Sequence, residues 1–157
     1  MKRIAALVSI LALAATTACR TRSYQRIPMP NQEIEISDLS RARIYLMRPK
    51  QVYGESASVH VWEAHTGDVH VGEIGAGAYL CWERLPGRSL LHAENRQPDR
   101  ATEHIVEGVM SLEAEAGHAY YVKLHMASGQ QTFKPTMELL SMYEGRKMLD
   151  RLKPAKL

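Results

Sequence analysis

Apolar and polar residues alternate in short runs along most of this chain, and Gly and Pro residues separate the runs. Successive side chains of a strand point to opposite faces, so each alternating run predicts a half-buried β-strand. Eight strands are predicted, at residues 41–48, 58–64, 68–74, 78–84, 89–94, 110–114, 119–126 and 135–141. Together they predict an all-β fold, an antiparallel β-sandwich of about seven or eight strands, with a closed barrel as the alternative.

The register of one hairpin can be predicted from its apolar positions. A three-residue loop at 65–67 pairs Val61 with Val71 and Glu63 with Val69, and the valines of the hairpin then share one face. A two-residue loop would mix apolar and polar residues on both faces. Because a one-residue slip moves every side chain to the other face, burial selects the three-residue loop.

Two segments depart from this alternation. Residues 95–101 are polar and contain Pro98, so an exposed loop is predicted there. After residue 141 the apolar spacing predicts a short helix over 142–152, which Pro154 ends. This C-terminal segment is also basic, with Arg146, Lys147, Arg151, Lys153 and Lys156. Such cations can contact anionic lipid headgroups, and a solvated helix face is the alternative.

The first 18 residues have the features of a signal peptide. Lys2 and Arg3 precede a run from Ile4 to Ala15 that carries no charge. A helix that spans a bilayer needs roughly 20 apolar residues, so this run is too short to be a membrane span. It matches the apolar centre of a secretory leader, which is removed from the mature protein.

Thr17-Ala18-Cys19 resembles a bacterial lipobox. The resemblance implies that Cys19 receives fatty acyl chains such as palmitate and that the chain is cut before it. Ordinary cleavage after Ala18, which would release a soluble secreted protein, is the alternative. Arg20 follows the cysteine where retention signals carry Asp, which implies transport to an outer membrane, with the domain facing the periplasm.

These features divide the chain into a signal peptide at 1–18, a lipidated tether at 19–40 and one β-sandwich domain with a C-terminal helix at 41–157. The chain has 20 Lys and Arg residues against 17 Asp and Glu, and the leader holds two of the cations, which leaves 18 against 17. So small a net charge excludes capture of nucleic acid by a strong positive field.

The chain has two cysteines, Cys19 and Cys81. If Cys19 is lipidated, Cys81 has no partner for a disulfide within its own chain. Cys81 lies in an apolar predicted strand, so we expect a buried, inert side chain, with a reactive or intermolecular thiol as the alternative.

His60, Trp62 and His70 form the one candidate ligand patch, because the predicted hairpin register places them on one face. Two histidines on neighbouring strands can bind a transition metal, but a site needs three or four ligands. Trp62 could instead stack on a sugar ring, and a solvated face with one aromatic ring is the third interpretation. The chain has no Gly-x-Ser-x-Gly motif for a nucleophile. No catalytic residue, metal or cofactor is assigned.

Several short motifs, each present once, follow one another along the domain. They are Ala42-Arg43-Ile44-Tyr45, Arg48-Pro49, Val71-Gly72-Glu73-Ile74, Gly77-Ala78-Tyr79, Leu85-Pro86-Gly87, Glu113-Ala114-Glu115-Ala116-Gly117, Tyr120-Tyr121-Val122 and Glu144-Gly145. In this order they resemble bacterial lipoproteins of domain-of-unknown-function family 2846, over residues 41–150. The resemblance implies a β-rich exported domain behind a lipobox, and it supplies no catalytic residue.

The sequence therefore predicts a non-enzymatic, membrane-anchored envelope lipoprotein that acts as a periplasmic binding or interaction module. Its expected partners are the membrane, through the lipid anchor, and an envelope protein or glycan. Two alternatives are a β-sandwich that binds a glycan or small ligand with the Trp62 face, and a metal-dependent enzyme that uses His60 and His70.

Overall fold

The computed structural model describes residues 36, 38–51, 54–65, 67–98, 103–128 and 133–155. In chain order these residues form β1 (Ala42–Arg48), β2 (Val59–Ala64), β3 (Asp68–Ile74), β4 (Ala78–Arg84), β5 (Gly87–Pro98), β6 (Glu103–Ala114), β7 (Ala119–Ser128), β8 (Phe133–Leu140), α1 (Met142–Leu149) and β9 (Lys153–Pro154). The predicted signal peptide, Cys19 and most of the predicted tether lie outside the described residues. Within the described part of the chain, no helix is both long enough and apolar enough to cross a membrane.

The strands form two sheets, a five-stranded sheet in the order β8-β7-β1-β4-β9 and a four-stranded sheet in the order β3-β2-β5-β6. This arrangement confirms the predicted all-β sandwich with one short helix. Two pairs, β1 with β7 and β4 with β9, are parallel, so the prediction of purely antiparallel sheets was wrong for them. Alternating polarity predicts which face of a strand is buried, but it does not fix the direction of the neighbouring strand.

The hairpin of β2 and β3 follows the predicted register only in part. Its three-residue loop and the pair Glu63 and Val69 are confirmed. Beyond Trp62 the register shifts at a β-bulge, so Val61 faces Gly72 and not Val71. Both valines stay buried, because the extra residue lets β3 keep its apolar side chain in the core.

The hairpin of β5 and β6 is longer than predicted. Its strands pair without interruption from Gly87 and Ala114 to Pro98 and Glu103, so most of the loop expected at 95–101 is strand. Asn95 is a polar residue in this extended part of β5. It is buried, and its side-chain amide donates a hydrogen bond to the carbonyl oxygen of Phe133 at 3.0 Å.

The main core lies between the two sheets. Its largest fully buried apolar side chains are Trp82, Ile44, Leu46, Ile74, Leu80, Leu91 and Leu124. A second cluster lies on the outer face of the five-stranded sheet and contains Tyr45, Met47, Cys81 and Tyr121. Helix α1 covers this cluster through Met148 and Leu149. The C-terminal helix is therefore a third layer, which packs on the five-stranded sheet.

Helix α1 begins at the predicted position and ends earlier than predicted. The Ser141 hydroxyl accepts a hydrogen bond from the Glu144 amide, and the Glu144 carboxylate accepts one from the Ser141 amide, which forms a capping box at the first turn. The chain leaves the helix after Leu149 and pairs with β4 as β9, where Ala155 donates to the carbonyl oxygen of Tyr79 at 2.8 Å. Residues 150–152, where the sequence predicted the last helical turn, form a turn that leads into β9, and the Leu152 amide donates to the carbonyl oxygen of Leu149 at 3.0 Å.

Candidate functional site

The structure brings the three residues of the predicted patch together. The ring centroids of His60 and His70 are 5.8 Å apart, and those of Trp62 and His70 are 4.6 Å apart. All three lie on the outer face of the four-stranded sheet, because their neighbours along the strand, Val61 and Glu63, point into the interior. Strand β5 places His92 beside Trp62, a neighbour that the sequence did not indicate.

Trp62 is only 3% exposed. Stacking on a sugar needs an accessible ring face, so this burial disfavours Trp62 as a sugar platform. Among the residues whose placement is described, no three His, Cys, Asp or Glu side chains are grouped so that they could hold a metal ion. The patch is therefore a set of adjoining rings in which the two histidines are partly exposed and Trp62 is buried.

Cys81 is a free, buried cysteine in β4, as the sequence predicted. Burial raises the pKa of its thiol to about 12. The thiolate is the nucleophilic form of cysteine, so this side chain is unreactive in the folded protein near neutral pH.

A concave feature lies elsewhere, at the end of the sandwich where β1 finishes. A groove of about 1010 Å³ separates α1 and β9 from the turn between β3 and β4. Much of its lining is apolar, from Pro49, Ala76, Ala78, Met148, Leu152 and Ala155. Four cations also line it: Lys50, Lys147, Arg151 and Lys153. We call this feature the cationic groove.

Arg48 fixes the walls of the cationic groove. Its guanidinium, which is 1% exposed, donates to the carbonyl oxygens of Gly54 (2.5 Å), Ala57 (2.5 Å) and Ile74 (3.0 Å). Its own carbonyl oxygen accepts from the Gly77 amide at 2.8 Å. One side chain thus joins the loop after β1 to the turn that borders the groove.

Gly77 and Lys50 fit together at the rim. Gly77 has φ +79°, in the left-handed region that favours glycine, and a Cβ there would lie 3.2 Å from both Cγ and Cε of Lys50. The aliphatic stem of Lys50 therefore lies across the turn. The opposite wall is held by β9, where the Lys153 amide donates to the carbonyl oxygen of Gly77 at 3.1 Å.

The groove is positively charged. Within the described part of the chain, none of its four cations forms an ion pair with a carboxylate. Two carboxylates also line it, Glu73 and Glu144. The hydrogen bonds of Glu144 with Ser141 in the capping box lower the pKa of that carboxyl. Its oxygens therefore accept hydrogen bonds at the start of the helix.

Arg48 adds to this positive charge from behind the wall. Burial lowers the pKa of Arg48 from its ordinary value, but a guanidinium stays protonated in proteins. Its hydrogen-bond partners are carbonyl oxygens, which carry only partial charges. The groove therefore has the chemistry of a site for an anion with an apolar part.

The sequence indicated only part of this groove. It identified the basic C-terminal segment, and it placed residues 75–77 between two predicted strands. It did not connect either of them with Arg48 or Lys50, which lie far away along the chain. No local signal marks Lys50, because its role depends on the three-dimensional position of α1.

Comparison of the chain with protein-family models, with curated proteins and with solved structures finds no match. The resemblance to domain-of-unknown-function family 2846 therefore stays a prediction from the motifs.

Proposed function

We propose that this protein is a non-enzymatic, lipid-anchored lipoprotein of the bacterial envelope that binds another envelope component in the cationic groove. The predicted signal peptide and Cys19 support a location at an outer membrane, with the domain facing the periplasm. One observation carries the binding role: a groove of about 1010 Å³ with an apolar lining and four cations free of ion pairs with described carboxylates. Volumes of this size are typical of ligand sites.

The chain enters the sandwich at one end of β1, near Ala42, and the groove lies at the other end, near Arg48. A strand of 7 residues separates these two ends by about 23 Å, at roughly 3.3 Å per residue. A lipid on Cys19 therefore does not need to occupy the site.

Site-specific photo-crosslinking in living cells tests the binding role. A photo-reactive amino acid at Ala76, inside the groove, is expected to give one discrete adduct, which mass spectrometry then identifies as protein, glycan or lipid. The same amino acid at Ser111, an exposed position on β6 away from the groove, is the matched control. No adduct from Ala76, or the same adducts from both positions, would contradict the proposed function.

A further inference from the structure

Resting on the proposed function, we propose that the occupant of the cationic groove is the headgroup and adjoining acyl chain of an anionic phospholipid. The groove would then give the protein a second attachment to the membrane, in addition to the lipid on Cys19. The charge of the groove, its apolar lining and the edge of the sheet beside it each favour this occupant.

The cations of the groove favour a ligand with a negative charge. The cations come from three different walls: Lys50 from the loop after β1, Lys147 from α1 and Lys153 from β9. A phosphate placed between these walls would be approached from several sides. Cations close to an anionic membrane surface each contribute about 1 kcal/mol to binding.

The apolar lining of the groove favours a ligand that also has an apolar part. Met148 and Leu152 reach the groove from the C-terminal segment, and Pro49 and Ala78 reach it from the sheet side. A purely ionic ligand, such as inorganic phosphate, would leave these side chains in contact with water. A ligand with an acyl chain beside its charge would cover them, at about 0.8 kcal/mol for each buried CH₂ group.

The edge of the sheet at the groove favours a lipid over an extended acidic peptide. A peptide that adds to an exposed strand needs backbone donors along that edge. In β9 the amides of Lys153 and Ala155 already point to β4, where they donate to Gly77 and Tyr79. Pro154, whose nitrogen would face outward, has no N–H. The edge at the groove is therefore poor for strand addition, and a lipid does not require it.

The chain between the proposed anchor and the domain is long enough for this arrangement. Residues 19–40 reach at most about 75 Å when fully extended, which exceeds the length of β1 about threefold. The groove would add an ionic and apolar contact to an anchor whose acyl chains already hold the protein at the membrane.

Vesicle binding tests the inference. The mature chain with Cys19→Ser, which carries no lipid of its own, is mixed with vesicles of phosphatidylcholine or of equal parts phosphatidylcholine and phosphatidylglycerol. Binding is expected only to the anionic vesicles. The triple variant Lys50→Gln, Lys147→Gln and Lys153→Gln is expected to bind roughly a hundredfold more weakly, at about fivefold for each cation.

A matched triple variant, Arg41→Gln, Arg88→Gln and Lys134→Gln, removes the same charge from exposed positions outside the groove. It is expected to retain most of the binding, and circular dichroism of both variants checks that they fold. Equal loss in the two triple variants, or equal binding to both kinds of vesicle, would overturn the lipid assignment. An adduct of a protein or glycan at Ala76 without vesicle binding would reject the lipid and keep the proposed function, whereas no adduct at Ala76 rejects the proposed function itself.

Discussion

Arg48 and Arg84 are buried at opposite ends of the sandwich, and their partners differ. Among the described residues, Arg48 donates to carbonyl oxygens alone, whereas Arg84 forms an ion pair with Glu63 at 2.9 Å and hydrogen bonds with Ser89 and the carbonyl oxygen of Gly87. The Arg84 pair joins the two sheets, because Glu63 comes from β2 and Arg84 from β4. A buried ion pair costs desolvation of both ions, so losing one partner leaves the other in an unfavourable site.

Replacement of Arg84 by Met is expected to lower the free energy of unfolding by about 3–5 kcal/mol, because Glu63 stays buried without its cation. Arg88→Met, at an exposed position on β5, is the matched control and is expected to change it by less than about 0.5 kcal/mol. Urea unfolding followed by tryptophan fluorescence measures both. Equal stability of the two variants would show that the pair contributes little.

Cys81 is expected to resist alkylation in the folded protein. Its thiol is fully buried and has a pKa of about 12, so the reactive thiolate is scarce at pH 8 and the reagent has no access to it. Iodoacetamide followed by mass spectrometry measures the reaction on the mature chain with Cys19→Ser. Rapid modification without denaturant would contradict the prediction, and modification in concentrated urea is the positive control.

At the scale of elements, α1 is held by a close approach that depends on glycine. Gly145 is buried against Tyr121, whose ring also stacks on Tyr45 with centroids 5.1 Å apart. A Cβ at Gly145 would lie 2.2 Å from Cγ of Tyr121. Glycine is unfavourable inside a helix, but here it allows the helix to reach the sheet and so to form one wall of the cationic groove.

Substitution of Gly145 by Ala is expected to lower the free energy of unfolding by up to about 2 kcal/mol, because overpacking costs about 1–3 kcal/mol and helix propensity returns about 1 kcal/mol. Thermal unfolding measures the change. Gly75→Ala is the matched control, since a Cβ there meets no atom within 4 Å. A Gly145→Ala protein at least as stable as the wild type would show that α1 does not pack tightly on Tyr121.

At the scale of the whole molecule, the proposed attachment to the membrane depends on Cys19, which lies outside the described residues. Acyl chains hold a protein at about 0.8 kcal/mol per buried CH₂ group, and two or more chains hold it stably. The groove lies at the far end of β1, so anchor and binding site can act separately.

The wild-type protein is expected to incorporate labelled palmitate and to stay with the membranes after osmotic shock. Cys19→Ser is expected to lose the label and to be released in a high-salt buffer, because its amino end carries no acyl chain and salt screens the cations of the groove. Fractionation and mass spectrometry of the mature amino end measure both outcomes. An unmodified Cys19 thiol in a freely released wild-type protein would refute the anchor and, with it, the membrane part of the proposed function.

The sequence by itself determined the positions of β1 to β8 in outline, the hairpin loop at 65–67 and the start of the terminal helix, because alternation and helical spacing are local properties of neighbouring residues. It did not predict that Gly108 on β6 approaches β8, where a Cβ would lie 2.1 Å from the carbonyl oxygen of Pro135. It also missed the strand character of Asn95, whose buried amide finds its partner at Phe133 only in the folded chain.

Only the tertiary structure decided the parallel pairing of β1 with β7, the short strand β9 and the cationic groove. The groove joins Lys50, the turn at 75–77 and the C-terminal segment, which are distant along the chain. They come together because α1 packs on Tyr121 and β9 pairs with β4, and both contacts depend on residues that are not neighbours in sequence. Local patterns carry no information about such long-range packing.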